Sequence, residues 1–248
     1  MEKLLDEIES YWSTRTEGYS EVNHKELAGT QKNAWLKVLT SQFPDKPKEE
    51  IRILDIGTGP GFFPVILAEA GYHVDAVDYT EGMLEKAKEN AGELCRNIHF
   101  QRMDAQKLEF EDNTFDVVIS RNLTWNLEHP DVAYREWVRV LKVGGKLLNF
   151  DANWYGYLYE EEQRKAYEND RKNVESNSLD DHYLCTDIER MERIALQVPL
   201  SKIRRPQWDV KTLREAGLLG IRTDTEIWKT VWSEEERLNY QSTPMFMV

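Results

Sequence analysis

The chain has 248 residues, a formal net charge of -13, and 40% apolar and 31% charged residues. That length buries one large core with insertions more readily than two full domains. The negative charge argues against a surface that tracks a phosphate backbone, and no apolar run approaches the roughly 20 residues that span a bilayer. The opening MEKLLDEIESYW is acidic and lacks a signal-peptide apolar region. Cys95 and Cys185 lie far apart without metal-ligand spacing, and the five histidines (His24, His73, His99, His129, His182) are scattered, so the expectation is a reducing cytoplasm and no metal.

Residues 1–50 are predicted as a helical leader: Leu4, Leu5, Ile8, Tyr11 and Trp12 share a stripe at helical spacing, and a second helix runs from about Lys25 to Phe43. The two prolines of PDKPKEE make a spacer. The pattern then changes. IRILDI is a strand, GTGPG a loop, FFPVILAEAG a helix ending at Gly71, and YHVDAVD a second strand. Thr80 caps the next helix, with Met83 where an acidic box residue would stand. NIHFQRMD and FDVVIS follow as strands, Pro130 opens the helix DVAYREWVRVL, KVGG stops it, and KLLNFD is the fifth strand. Five short apolar strands alternating with helices predict parallel βαβ units with helices on both faces. Residues 152–208 break this rhythm with the aromatics NWYGYLY and charged helical stretches, and are predicted as a helical insertion above the sheet. Lys202, Arg204 and Arg205 form a small basic patch. WDVKTLREAGL is a helix, GIRTDTEIW a strand and PMFMV a last strand, which makes seven.

The chemistry concentrates at strand ends. Asp55 closes the first strand, and Gly57, Gly59 and Gly61 form the turn into the first helix, where the backbone approaches a ligand closely and helix N–H groups lie unpaired. The spacing is GxGxG, and a carboxylate before the first glycine repels a pyrophosphate but suits a cationic amine. No GxxxxGK[ST] is present. Asp78 ends the second strand, 21 residues beyond Gly57, where a carboxylate accepts from both hydroxyls of a ribose. Asp104 ends the third strand, placed to accept from an adenine amino group, and SRNLTW follows the fourth on the same edge.

Together these motifs resemble the class I S-adenosylmethionine-dependent methyltransferases, in particular the ubiquinone and menaquinone type of small-molecule enzyme. LDIGTGPG resembles the family's glycine motif, VDAVDYTEGML its acidic-strand motif, MDAQKLEFEDNTFDVVISRNLTWNLEHP its adenine-side motif and active-site loop, and LKVGGKLLNFD its fifth-strand region. The resemblance covers about residues 8–151, and 206–248 in architecture only. It implies an α/β, Rossmann-like three-layer sandwich with a seven-stranded, mostly parallel sheet of order 3-2-1-4-5-7-6, the last strand antiparallel. The leader 1–50 would cap it, 51–151 and 209–248 would form the cofactor-binding core, and 152–208 would be a helical lid over the acceptor. It implies an enzyme that moves a methyl group from S-adenosyl-L-methionine to a small molecule by in-line substitution, acting as a monomer or homodimer without nucleic acid or membrane. The runners-up are a non-catalytic cofactor-binding or interaction protein and an NAD-dependent oxidoreductase.

By the same resemblance Gly57, Thr58 and Gly59 face the methionine part of the cofactor, and Asp55 steers its ammonium. Asp78 takes the ribose, Tyr79 and Met83 flank the adenosine, and Asp104 and the Ala105 backbone meet the adenine. Asn122 lies near the methionine end. Tyr11, Trp12, Arg15 and Tyr19 close over the cofactor, with the arginine near its carboxylate. A phenol or a protonated amine as acceptor needs a base; by position the candidates are His24, Asp151, Tyr155 and His182. Where relatives carry a histidine-rich loop after the fourth strand, this chain reads NLTWNL, so Trp125 and Asn126 shape a different pocket. The aromatics Trp154, Tyr155, Tyr157 and Tyr159 read either as packing of the insertion or as a wall of the acceptor pocket. Trp35 and Trp137 read as core.

Overall fold

The computed structural model describes residues 4–183 and 186–248; the reading of Cys185 falls outside them. At its centre is a sheet of order β3-β2-β1-β4-β5-β6. The strands are β1 (Arg52–Ile56), β2 (His73–Asp78), β3 (Ile98–Arg102), β4 (Phe115–Arg121), β5 (Leu141–Asp151) and β6 (Phe246–Met247). β1 to β5 pair in parallel and β6 runs antiparallel to β5. The apolar runs of β1 and β4 are buried on both faces, the signature of a parallel sheet sandwiched between helices.

Two details differ from the sequence reading. Six strands form rather than seven among the described residues. The segment GIRTDTEIW meets the sheet only through an isolated bridge from Asp224 to Met247. It lies where the missing strand would sit, but its exposed, charge-interrupted side chains give a longer ladder little to bury. KVGG is also not a stop between elements. α5 (Pro130–Val140) passes directly into β5, and the pairing of β4 with β5 shifts register between Phe115 and Val117. Gly145 allows the close approach there, since a Cβ would stand 2.9 Å from the Asp116 carbonyl oxygen.

Helices cover both faces. On one side α2 (Gln31–Gln42) and α3 (Phe62–Glu69) bring Trp35, Leu39, Phe62, Phe63 and Ile66 against Ile53, Val117, Ile119 and Phe150. On the other, α5 and α8 (Gln207–Glu215) pack Tyr134, Trp137 and Leu213 against Leu54, Ile56, Val118 and Leu147. Trp35 and Trp137 are thus core residues, both essentially unexposed. α4 (Glu81–Ala91) lies along β2 and β3.

The leader is mostly α1 (Leu4–Ala28), whose buried side chains include Thr16, Ser20, Asn23 and Glu26 as well as Ile8 and Tyr11. A helix that buried this many polar groups against an apolar core would be unstable; α1 instead lies over the polar ends of the strands. The segment 152–208 supplies α6 (Glu161–Ser176) and α7 (Ile188–Ala195). With α1 they enclose an aromatic cluster of Tyr11, Trp125, Tyr155, Tyr157 and Tyr183. The remaining short elements are α9 (Trp228–Val231) and α10 (Glu234–Asn239). No described helix is long and apolar enough to cross a membrane.

Candidate active site

A cleft partly open to solvent runs beneath α1. It lies at the C-terminal ends of β1 to β4, where β1 is flanked by β2 on one side and β4 on the other. This reversal of strand order is where open α/β sheets bind ligands.

The glycine loop is tied to β2, because Gly57 N–H (2.8 Å) and Thr58 N–H (3.0 Å) both donate to the Val77 carbonyl. Gly57 has φ +69°, and a Cβ there would meet Leu123 Cδ2 at 2.7 Å. The left-handed φ favours glycine there, and a side chain would also have to displace the end of Leu123. Asp78 accepts from Gly59 N–H at one oxygen and from Thr80 N–H at the other, each at 2.9 Å. Its carboxylate is fixed in place yet keeps acceptor capacity toward the cleft it lines. Burial raises its pKa, against the pull of the Thr80 and Gly59 N–H groups.

Asp55 is more deeply placed. It is 2% exposed. Burial pushes its pKa up to about 7, opposed by Thr58 and Arg121 and reinforced by Asp78. A cation arriving nearby would favour its ionised form.

On the far side, Met83, Met103 and Ala105 form an apolar floor. One Asp104 oxygen accepts from Gln106 N–H (2.9 Å) and Gln106 Nε2 (3.2 Å). The Ala105 carbonyl accepts from Trp137 Nε1 at 2.9 Å. Arg102 stacks over the Tyr79 ring at 4.9 Å, donates to the Tyr79 carbonyl and reaches Glu9 on α1 at 2.9 Å.

Asn122 follows β4 with φ 57°, an uncommon backbone state for a residue other than glycine. Its N–H donates to Phe150 O, and its own carbonyl accepts from Trp125 Nε1. Its Oδ1, like that of Asn126, is buried with no hydrogen-bond partner. Both residues line the cleft, which distinguishes them from the other buried unpartnered side-chain atoms of the described residues.

Of the residues singled out from the sequence, the cleft brings together Trp12, Tyr19, Gly57, Gly59, Asp78, Tyr79, Met83, Asp104, Ala105 and Asn122. Thr58 and Asp55 stand behind the loop. Tyr11 faces the aromatic cluster. Arg15 is half-buried on α1, close enough to influence Tyr19, but does not line the cleft.

None of the candidate bases lines it either. His24 is exposed on the outer face of α1. His182 contacts Tyr240 and Glu235 in the covering region. Tyr155 is packed on Trp125 with ring centroids 5.0 Å apart. Burial, together with Tyr183 and other neighbouring tyrosines, holds its pKa well above the usual phenol value, so it stays protonated. Asp151 is wholly buried and saturated. One oxygen accepts from Arg205 (2.5 Å) and Trp125 N–H (3.0 Å), the other from Ala152 N–H (2.9 Å) and Trp154 Nε1 (3.1 Å). Arg205, read from the sequence as part of a basic surface patch, is buried between Asp151 and Asp209. Tyr155 and Tyr157 are packing residues, whereas Tyr159 is exposed.

Sequence reasoning passed over Arg121 and Glu26. Arg121 lines the cleft, with Nη1 and Nη2 on the two Glu26 oxygens at 2.7 and 3.0 Å. The available signal was a single cation ending an apolar strand, inside the quoted run SRNLTW. Among the described residues no group of three metal-ligating side chains comes together.

Residues 54–149 match the family model described as a methyltransferase domain. Over 97 residues the chain is 39% identical to a demethylmenaquinone methyltransferase of Clavibacter sepedonicus, covering 39% of each chain. It is 30% identical over 126 residues to a ubiquinone biosynthesis O-methyltransferase of Coxiella burnetii, covering 50% of this chain and 53% of the relative. The chain thus spans about half the length, or less, of these curated relatives. Among solved structures it superposes on a SAM-dependent methyltransferase from Aquifex aeolicus with a TM-score of 0.55 and 22% identity, over 90% of this chain and 94% of that one. Residues 54–149 thus resemble a methyltransferase domain, and the near full-length superposition shows that the chain shares the fold of that structure.

Proposed function

We propose that the chain is an S-adenosylmethionine-dependent methyltransferase acting on a small molecule. The observation that carries this reading is Asp78. It is locked by two backbone N–H groups beside a glycine loop and lines the cleft with acceptor capacity to spare for paired ribose hydroxyls. The remaining walls fit the same ligand. The floor of Met83, Met103 and Ala105 suits an adenine face, and Asp104 its amino group. Gly57 and Gly59 admit the amino acid portion, and the unpartnered Asn122 Oδ1 offers an acceptor for its ammonium. A pyrophosphate would meet Asp78 beside the glycine loop, with Asp55 behind it and, as the cation of the lining, only an Arg121 already paired with Glu26.

When bound, S-adenosylmethionine supplies a sulfonium-activated methyl group. The chain's own contribution is alignment and exclusion of water, effects that together reach on the order of 7–11 kcal/mol in well-oriented systems. Leu5, Ile8 and Trp12 of α1, with Leu123 and Leu127 opposite, give the cleft an apolar side. We infer an apolar or planar acceptor, in keeping with the quinone-pathway names of the two curated relatives.

The test is calorimetric titration with S-adenosylmethionine and with NADH, followed by a panel of demethylated quinols, catechols and amines. Saturable binding of the first ligand, and S-adenosylhomocysteine that accumulates only with an acceptor, is the expected result. Binding without turnover on any acceptor would favour a non-catalytic binder. Binding of NADH alone would overturn the proposal.

A further inference from the structure

We propose that Arg121, held in place by Glu26, is the anion subsite of the cleft and takes the carboxylate at the amino acid end of the cofactor; this rests on the S-adenosylmethionine reading above. The charge inventory motivates it. Among the described residues lining the cleft, Glu9, Asp78, Asp104 and Glu128 are acidic and Arg121 is the single cation. Because Arg121 is paired with Glu26 and lies near Glu236, it offers a carboxylate its remaining N–H donors rather than a net positive charge.

Position agrees with charge. Arg121 shares the glycine-loop end of the cleft with Gly57, Gly59, Tyr19 and Asn122. The unpartnered Oδ1 of Asn122, the residue after it, offers an acceptor to the ammonium of the same ligand. Donor and acceptor therefore come from consecutive residues of the same cleft lining.

The guanidinium is also preorganised. Glu26 takes one N–H from each terminal nitrogen, and the planar face rests on Phe62 at 4.7 Å and Phe63 at 5.2 Å. Arginine has five N–H donors, so three remain. Arg121 and Glu26 are only 13% and 6% exposed, and each offsets the cost of burying the other. Glu26 is thus a positioning residue: it fixes which edge of Arg121 faces the ligand, and it does so from α1. Arg15, the leader arginine that the family resemblance points to, stands outside the cleft lining.

The experiment compares the dissociation constants of S-adenosylmethionine and decarboxylated S-adenosylmethionine, two ligands that differ by one carboxylate. The wild-type chain should favour the carboxylate form by roughly 10- to 100-fold, the range of a hydrogen-bonded charge pair. The double variant Glu26→Gln/Arg121→Met removes the pair without leaving a lone buried charge. It should bring the two constants to within about threefold while keeping a cooperative melting transition, whereas Arg15→Gln should keep the wild-type ratio. If the double variant does not fold, Arg121→Lys is read instead; it should reduce the ratio several-fold, because lysine cannot reproduce the fork. An unchanged ratio in the folded Arg121 variant, or its loss in Arg15→Gln, overturns the assignment. Equal binding of both ligands by wild type overturns it while leaving the proposed function intact; binding of neither removes the proposed function itself.

Discussion

Asp78 and Asp151 are both aspartates at the C-terminal end of a parallel strand, and their surroundings divide the molecule into a part proposed to bind and a part that holds. Around Asp78 the partners are backbone N–H groups of the adjoining turns, which orient the carboxylate and leave it open to the cleft. Around Asp151 the partners are Arg205, Trp154 Nε1 and two N–H groups, and no face remains. The chemistry of the two side chains is identical. What separates them is that the end of β2 is covered by a helix with a polar inner face, whereas the end of β5 is sealed by segment 152–208 and α8. A carboxylate at a strand end is thus evidence of a site only when its partners leave it something to do.

That contrast can be broken most forcefully on the holding side. Arg205→Met leaves Asp151 and Asp209 buried without a cation and should lower stability by about 3–5 kcal/mol. Chemical denaturation reads this; a loss below about 1 kcal/mol would show that the triad is not a structural centre. On the binding side, Asp78→Asn should weaken S-adenosylmethionine by on the order of 100-fold, the scale of lost charge-assisted hydrogen bonds, with the melting transition retained. A change smaller than about threefold in calorimetry would make Asp78 no different from Asp151.

Asp55 sharpens the comparison through pH. Its raised pKa of about 7 means that the free protein carries it mostly protonated below neutrality. A bound ammonium favours the ionised form, so binding releases a proton. Affinity for S-adenosylmethionine should be level above pH 7 and fall by up to about tenfold per pH unit below it. Asp55→Asn should flatten that slope, and a profile equally steep in the variant would rule out Asp55 as its source. The smallest effect is expected at His24, exposed on the outer face of α1. His24→Ala should change stability by less than about 0.5 kcal/mol and leave the rate of S-adenosylhomocysteine formation unaltered, and a marked fall in rate would return this histidine to the site.

The binding part was the more legible in sequence, for a physical reason. Gly57, Gly59, Asp78 and Asp104 take their places from the local geometry of strand, turn and helix, and that geometry repeats every βαβ unit. Arg121 and Glu26 stand 95 positions apart, and Arg205 and Asp151 stand 54 apart. No periodicity links such pairs, so Arg205 read as surface charge and Asp151 as a free carboxylate. The weak strand at 220–228 failed for a related reason. Its apolar content suggested a ladder, but edge pairing depends on what neighbouring elements cover. Asn122, with its positive φ, was legible only by its place after β4.

The burial of Arg205 also bears on how the covering segment could be exchanged. Residues 152–208 are a unit that could be exchanged between relatives to ask what the covering segment does, and Arg205 lies near their end. A splice at that boundary would carry the guanidinium into the graft while leaving Asp151 and Asp209 in the host. The workable junctions lie just before Asp151 and just after Asp209, so that all three side chains travel, or are replaced, as one cassette.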